Sequence, residues 1–168
     1  FWLSIFVKGW NIEAAVEIAG VLGHGPQTGV DLLSGLVTNS LVTVDSDFTP
    51  PRYRLLESVR EFALQQLSAV GEELEARKAH LAYFRRLAET THLDILSGGV
   101  RARLPELLYE ESNISSAIEF ASSSEDCRES AMGIAGMLML YWRGRGNYKF
   151  ALRLYETSLG NKPDSQSP

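Results

Sequence analysis

Residues 41–55 do not share the period of the chain around them. Leu41-Val42-Thr43-Val44 is β-branched, Asp45 to Pro51 is rich in turn formers, and Arg52-Tyr53-Arg54-Leu55 alternates polar with apolar. Two such runs around a turn predict a two-stranded hairpin. The flanking segments instead repeat apolar residues at helical spacing, so the chain reads as mainly α with one small hairpin.

Before the hairpin, Phe1 to Val7 reads as the end of a buried helix closed at Lys8-Gly9. Asn11 is an N-cap for a helix carrying Ile12, Ala15, Val16 and Ala19 on one face and ending at Gly20. After the loop Val21 to Gln27, Thr28 caps a third helix that buries Val30, Leu33, Leu36 and Val37, broken at Asn39-Ser40. After the hairpin, a helix from about Glu57 to Val70 has Val59, Ala63, Leu67 and Val70 on one face and Gly71 as its stop. Three helices, two strands and a helix are the order of a winged helix, which sets a first domain at residues 1–70.

Beyond Gly71 only helices are expected, in a second region at residues 71–168. Leu74, Leu81, Phe84 and Ala88 mark one stripe; Leu104, Leu107, Ile114, Ala117 and Ala121 mark another after the loop Ser97-Gly98-Gly99. These leading helices occupy residues 71–124. A tight pair follows over 126–163, from about Asp126 to Arg143 and from about Asn147 to Leu159, separated by Gly144-Arg145-Gly146. Gly146-Asn147-Tyr148, Ala151, Tyr155, Leu159 and Pro163 stand at the spacing of the second helix of a tetratricopeptide repeat, and Leu138 and Trp142 fit its first. Small Ala151 then lets the helices approach, and Tyr148 and Tyr155 fill the groove between them. The fold class expected is a winged helix with a small β-hairpin followed by an antiparallel, tetratricopeptide-like array. One repeat cannot bury its own apolar face, so further repeats are expected beyond Pro168.

With 168 residues, 45% of them hydrophobic and 22% charged, the chain has the composition of a globular protein and the size of one domain or two small ones. Its start at Phe1 inside an apolar run suggests a piece of something longer. The longest charge-free apolar helical stretch, Ala131 to Trp142, is twelve residues, short of the ~20 that span a bilayer. No membrane association is expected. One cysteine, Cys127, cannot form an internal disulfide, and no leader precedes the body, so the expected location is cytoplasmic.

No G-x-x-x-x-G-K-[ST] occurs; Gly23-His24-Gly25 lacks the lysine that would follow a phosphate cradle. ATP turnover by this chain is thereby excluded. His24, His80 and His92 lack metal-site spacing and read as surface or capping residues, Cys127 has no motif around it, and no serine sits in a nucleophile elbow. No catalytic residue, metal ligand or cofactor is assigned, and the chain reads as non-enzymatic.

Three stretches carry a resemblance: residues 6–15 (FVKGWNIEAA), 31–37 (DLLSGLV) and 52–63 (RYRLLESVREFA). They resemble bacterial regulatory ATPases of the STAND, NB-ARC-like class, and Arg77 to Glu89 and Glu111 to Ala121 resemble the helices leading into their tetratricopeptide-like sensor region. The resemblance implies an upstream nucleotide-binding domain that holds ATP or ADP, a winged helix packed against it, and repeats that await a protein or small-molecule signal. Many relatives carry a Met-His-Asp motif whose histidine approaches the ADP β-phosphate. The matching positions here are Leu55, Leu56 and Glu57, and Leu56 has no hydrogen bond to give a phosphate.

A winged helix often reads DNA with its third helix, holding phosphates by Lys and Arg. Here the segment Thr28 to Asn39 has neither and carries Asp31, while residues 1–70 hold four Lys/Arg against seven Asp/Glu, a net of −3. Arg52, Arg54 and Arg60 are the candidate DNA or phosphate contacts. Arg143, Arg145, Lys149 and Arg153 form a candidate partner-binding patch at the repeat turn. The leading reading is a non-catalytic regulatory fragment of a STAND-type ATPase acting as a transcription regulator, its winged helix an interdomain element that does not bind DNA. The alternative is a stand-alone winged-helix DNA-binding regulator with a helical oligomerisation tail.

Overall fold

A computed structural model of the chain describes residues 1–98 and 104–159. Two compact units emerge, Phe1–Tyr83 and Phe84–Pro168. The first begins with a 3-10 turn, Trp2–Ile5, all four residues buried. A longer helix end was expected there, but Phe6 is extended and leads the chain out after one turn. Strand β1 (Trp10–Asn11) follows, and Asn11 also caps α1 (Ile12–Val21) by accepting the Ala14 N–H at Oδ1, 2.8 Å away. That cap is worth about 1 kcal/mol. Helix α1 buries Ala14, Ala15, Ile18 and Ala19 and continues one residue past Gly20.

Helix α2 (Pro26–Thr38) starts earlier than the expected cap at Thr28, because Pro26 occupies its first turn after Gly25. Gly29 brings α2 close to α1, since a β-carbon there would meet that of Ala19 at 3.3 Å. Only Leu33 of the four expected core residues is fully buried; Leu36 and Val37 are half-buried and Val30 is exposed. The helix ends with Ser40 at φ 57°, the Leu41 N–H returning to the Leu36 carbonyl at 3.0 Å.

Strands β2 (Val42–Asp45) and β3 (Arg52–Leu55) form the expected hairpin, antiparallel, with Val42 opposite Leu55. The sheet has a third member: β1 pairs with the other edge of β3, Trp10 opposite Tyr53 and Asn11 opposite Arg52, giving the order β1-β3-β2. Two residues are too few for alternation to reveal a strand. Helix α3 (Glu57–Ala69) buries Ala63 and Leu67, while Val70 lies just past its end and is exposed. The long helix α4 (Glu73–Leu96) follows. In the first unit Phe6 stacks on Trp10 at 5.3 Å between centroids and meets His80 edge-on at 5.1 Å. His80 is therefore a core residue of that unit, a correction to its reading as a surface or capping histidine, because its helical face is the one that carries Ala76 and Ala79 inward.

The second unit contains α5 (Leu104–Ser122), a 3-10 turn at Glu125–Cys127, α6 (Arg128–Gly144) and α7 (Tyr148–Ser158). Its core is built from Ile114, Ile118, Ile134, Leu138 and Trp142. The α6–α7 pair falls within two residues of the expected bounds, but its packing differs. Phe150 meets Trp142 edge-to-face at 4.8 Å, whereas Tyr148 is 62% exposed and Tyr155 is exposed as well. Helical geometry explains the difference: Phe150 and Leu154 share the face toward α6, and the two tyrosines sit about a third of a turn away. Gly99 of the expected loop and Pro163, the expected helix stop, lie outside the described residues. Among the described residues no helix is long and apolar enough to cross a membrane.

Candidate functional site

An apolar groove of about 640 Å³ lies between α2 and α3 in the first unit. Helix α2 contributes Thr28, Asp31, Leu32, Gly35, Leu36 and Asn39, residues one helical face supplies at steps of three, four and seven. Across from it stand Val59, Phe62 and Ala63 of α3, and Trp2 and Leu3 of the first turn line the same space. Leu32 and Phe62 remain about half exposed there, and no atom stands within 4 Å of where a Gly35 β-carbon would be. The size and lining are those of a site for an apolar group. Asp31 is the one ionisable residue of the lining, and it accepts from Gln27 Nε2 at 2.9 Å.

This groove was not foreseen as a site. Its signal in the sequence is the set of apolar residues that fall off the buried stripes: Leu32 beside Leu33, and Phe62 beside Ala63. Each pair puts one side chain into the unit and the other on its surface.

The three candidate phosphate-contacting arginines go to different places. Arg52 is only 8% exposed, and its Nη2 donates to the Gly9 carbonyl at 3.1 Å, so this side chain is part of the sheet's own packing. Arg60 donates to Glu57 Oε1 at 2.8 and 3.0 Å and to the Ser4 carbonyl at 3.3 Å. Its hydrogen bonds hold the Glu57 carboxyl below the usual carboxylate range. Arg54, in contrast, is exposed on β3, with its own carbonyl accepting from Thr43 Oγ1. Leu56 is exposed at the start of α3 and forms no side-chain cap.

In the second unit Arg143, Arg145 and Lys149 are exposed around the α6–α7 turn, and Arg153 lies over the Phe150 ring at 5.2 Å. The α7 stripe of Tyr148, Leu152, Tyr155 and Leu159 is exposed beside them. His92 Nδ1 lies 3.2 Å from the Met137 carbonyl. Among the described residues no three His, Cys, Asp or Glu side chains gather as a metal site would require.

No protein-family model matches the chain, and no solved structure matches it. It is similar to three curated proteins provisionally named helix-turn-helix (HTH)-type transcriptional regulators, one from Mycobacterium bovis and two from strains of Mycobacterium tuberculosis. Identity to each is 31% over 159 residues, covering 94% of this chain and 18% of the relative. The chain thus spans under a fifth of the length of the regulators it resembles.

Proposed function

We propose that the chain is a non-catalytic regulatory segment of a larger transcription regulator. The likeness to named HTH-type regulators across 159 residues carries this reading. Within it, the winged-helix unit faces protein instead of DNA. Helix α2 has no cation, its groove face is apolar around Asp31, and Arg52 is turned inward. Base reading needs side chains that reach base edges together with cations that hold phosphates, and of the three arginines Arg54 alone stands exposed. The helical unit serves as the protein- or signal-binding region, its α6–α7 pair a tetratricopeptide-like element. The resemblance at residues 6–15, 31–37 and 52–63 supports a STAND-type switch as the parent, with ATP or ADP held by a separate domain.

A second reading is favoured by the relatives' names and by exposed Arg54: the winged helix reads DNA itself, with α2 in the major groove. Fluorescence anisotropy with duplex DNA at ~50 mM salt separates the two, because low salt favours any electrostatic contact. The protein-facing reading expects no sequence-dependent binding below micromolar concentration. Tight, sequence-dependent binding lost on Arg54→Ala would install the DNA-reading function in its place.

A further inference from the structure

Helix α2 contains two glycines, and the fold accounts for one of them. A β-carbon at Gly29 would meet that of Ala19 at 3.3 Å, so glycine there lets α1 and α2 approach. Gly35 lies in the interior of the same helix, outside the positive-φ region, and no atom stands within 4 Å of where its β-carbon would be. Glycine weakens a helix interior, because it loses more backbone freedom on folding than any other residue. What its missing side chain provides at position 35 is space: Gly35 lines the α2–α3 groove, with Leu32 beside it and Val59 and Phe62 across from it.

We propose that this groove binds a small organic cation, an aromatic or alkyl body carrying one protonated amine. Its volume of about 640 Å³ is that of a site for one drug-sized molecule. The apolar body lies over Gly35 between Leu32 and Phe62, which are 48 and 57% exposed in its absence. Asp31 sets the sign of the ligand's charge. It is the one ionisable side chain of the lining, α2 has no Lys or Arg anywhere along its length, and Asp31 forms no ion pair among the described residues. Its hydrogen bond from Gln27 Nε2 comes from a neutral amide, which leaves the negative charge uncompensated and further lone pairs open. An amine reaching that rim from the groove forms a charge-assisted hydrogen bond, whereas a carboxylate on the same body is repelled. Ligand binding here is independent of whether the first unit faces DNA or protein.

Titration of the 168-residue chain with phenylbutylamine, phenylbutanol and phenylbutyrate tests it. The amide resonances of Asp31, Gly35 and Phe62 report the site, and circular dichroism confirms the fold of each variant. The amine is expected to bind with a dissociation constant below ~1 mM. It should bind about threefold tighter than the alcohol and ~10-fold tighter than the carboxylate, the spread that an exposed charge gives. Asp31→Asn should bring the three within ~2-fold of one another. Gly35→Leu puts a side chain into the open space and should weaken all three at least ~10-fold, and Phe62→Ala, which removes one wall, should weaken them several-fold. No response at Gly35 to any of the three at ~5 mM overturns the proposal. So does binding that survives Gly35→Leu, or a preference for the amine that survives Asp31→Asn. Groove amides that respond only to raising the concentration of the chain itself would place a second copy there. Amides that respond to a helical leucine–lysine peptide and to none of the three ligands would place a partner helix there. Either result also overturns the small-molecule site, and the second leaves the protein-facing reading standing.

Discussion

Arg52 Nη2 and the Gly9 carbonyl oxygen, 43 residues apart in sequence, lie 3.1 Å apart across the joint between β1 and β3. Gly9 itself sits at φ 98°, and a β-carbon there would press on the Tyr53 carbonyl oxygen. An arginine on a wing strand is ordinarily read as a phosphate contact; here it ties down the turn that leads into β1.

Arg52→Ala is therefore expected to destabilise the fold by ~1–3 kcal/mol, since it removes a charge-assisted hydrogen bond to a buried carbonyl. Gly9→Ala combines a left-handed backbone with a steric clash and should cost at least as much. Urea denaturation measures both. Stability unchanged by Arg52→Ala would return that side chain to the list of phosphate contacts.

Ser40 supplies a case of the opposite sign. It holds φ 57°, a region costing a non-glycine residue roughly 1 kcal/mol, at the point where the Leu41 N–H closes the end of α2 on Leu36. No side-chain hydrogen bond of Ser40 offsets that cost in the described geometry. Ser40→Gly should raise stability by up to ~1 kcal/mol, less the entropy a glycine adds to the unfolded chain. A thermal melt displaced downward would contradict the strained cap.

What could be read in advance follows the length of the signal. The hairpin, α3, α6 and α7 lie within two residues of their expected bounds because each has several residues at one period bounded by Gly, Asn or turn formers. Strand β1 was invisible because Trp10 and Asn11 carry no period, and their pairing with Tyr53 and Arg52 is a tertiary fact. Periodicity also says that a helix has an apolar stripe without saying which neighbour covers it. Hence Tyr148 and Tyr155 were assigned to the α6 groove that Phe150 fills, and the Leu32–Phe62 groove was not anticipated. The same limit applies to charge: Arg52 and Arg54 stand two residues apart and share one face of β3, and it is the tertiary contact with the Gly9 carbonyl that goes with burial of one while the other stays exposed.

The α6–α7 packing makes a graded prediction. Trp142→Ala should cost ~3–5 kcal/mol, because its ring is fully buried between Tyr141 and Phe150. Phe150→Ala should cost less, since that residue is only half-buried. Tyr148→Ala should change the stability of the monomeric chain by no more than ~0.5 kcal/mol, as expected for an exposed site. If Tyr148→Ala is as damaging as Phe150→Ala in dilute solution, the tyrosines fill the groove after all.

Tyr141 gives the helical unit a pH signature. The residue is 2% exposed and its ring meets Trp142 edge-on at 4.3 Å. Burial raises its hydroxyl pKa to about 12, Arg145 pulling the other way and Glu111 adding to the rise. In the unfolded chain a tyrosine titrates near ~10. Below that value both states keep the proton, and the contribution to stability is fully present. Between about 10 and 12 the unfolded state gives up its proton while the folded state holds on, so the folded state binds more protons and stability falls as pH rises. The loss is at most ~2.7 kcal/mol, reduced by any water that reaches the hydroxyl. Tyr141→Phe removes this titration and leaves every lysine and other tyrosine in place, so the difference between the two proteins isolates it. Urea midpoints at pH 9 and pH 11.5 should lie closer together in the variant, with the parent losing stability more steeply. Equal losses in the two proteins would mean that the Tyr141 hydroxyl ionises as readily folded as unfolded, and that burial in α6 does not control it.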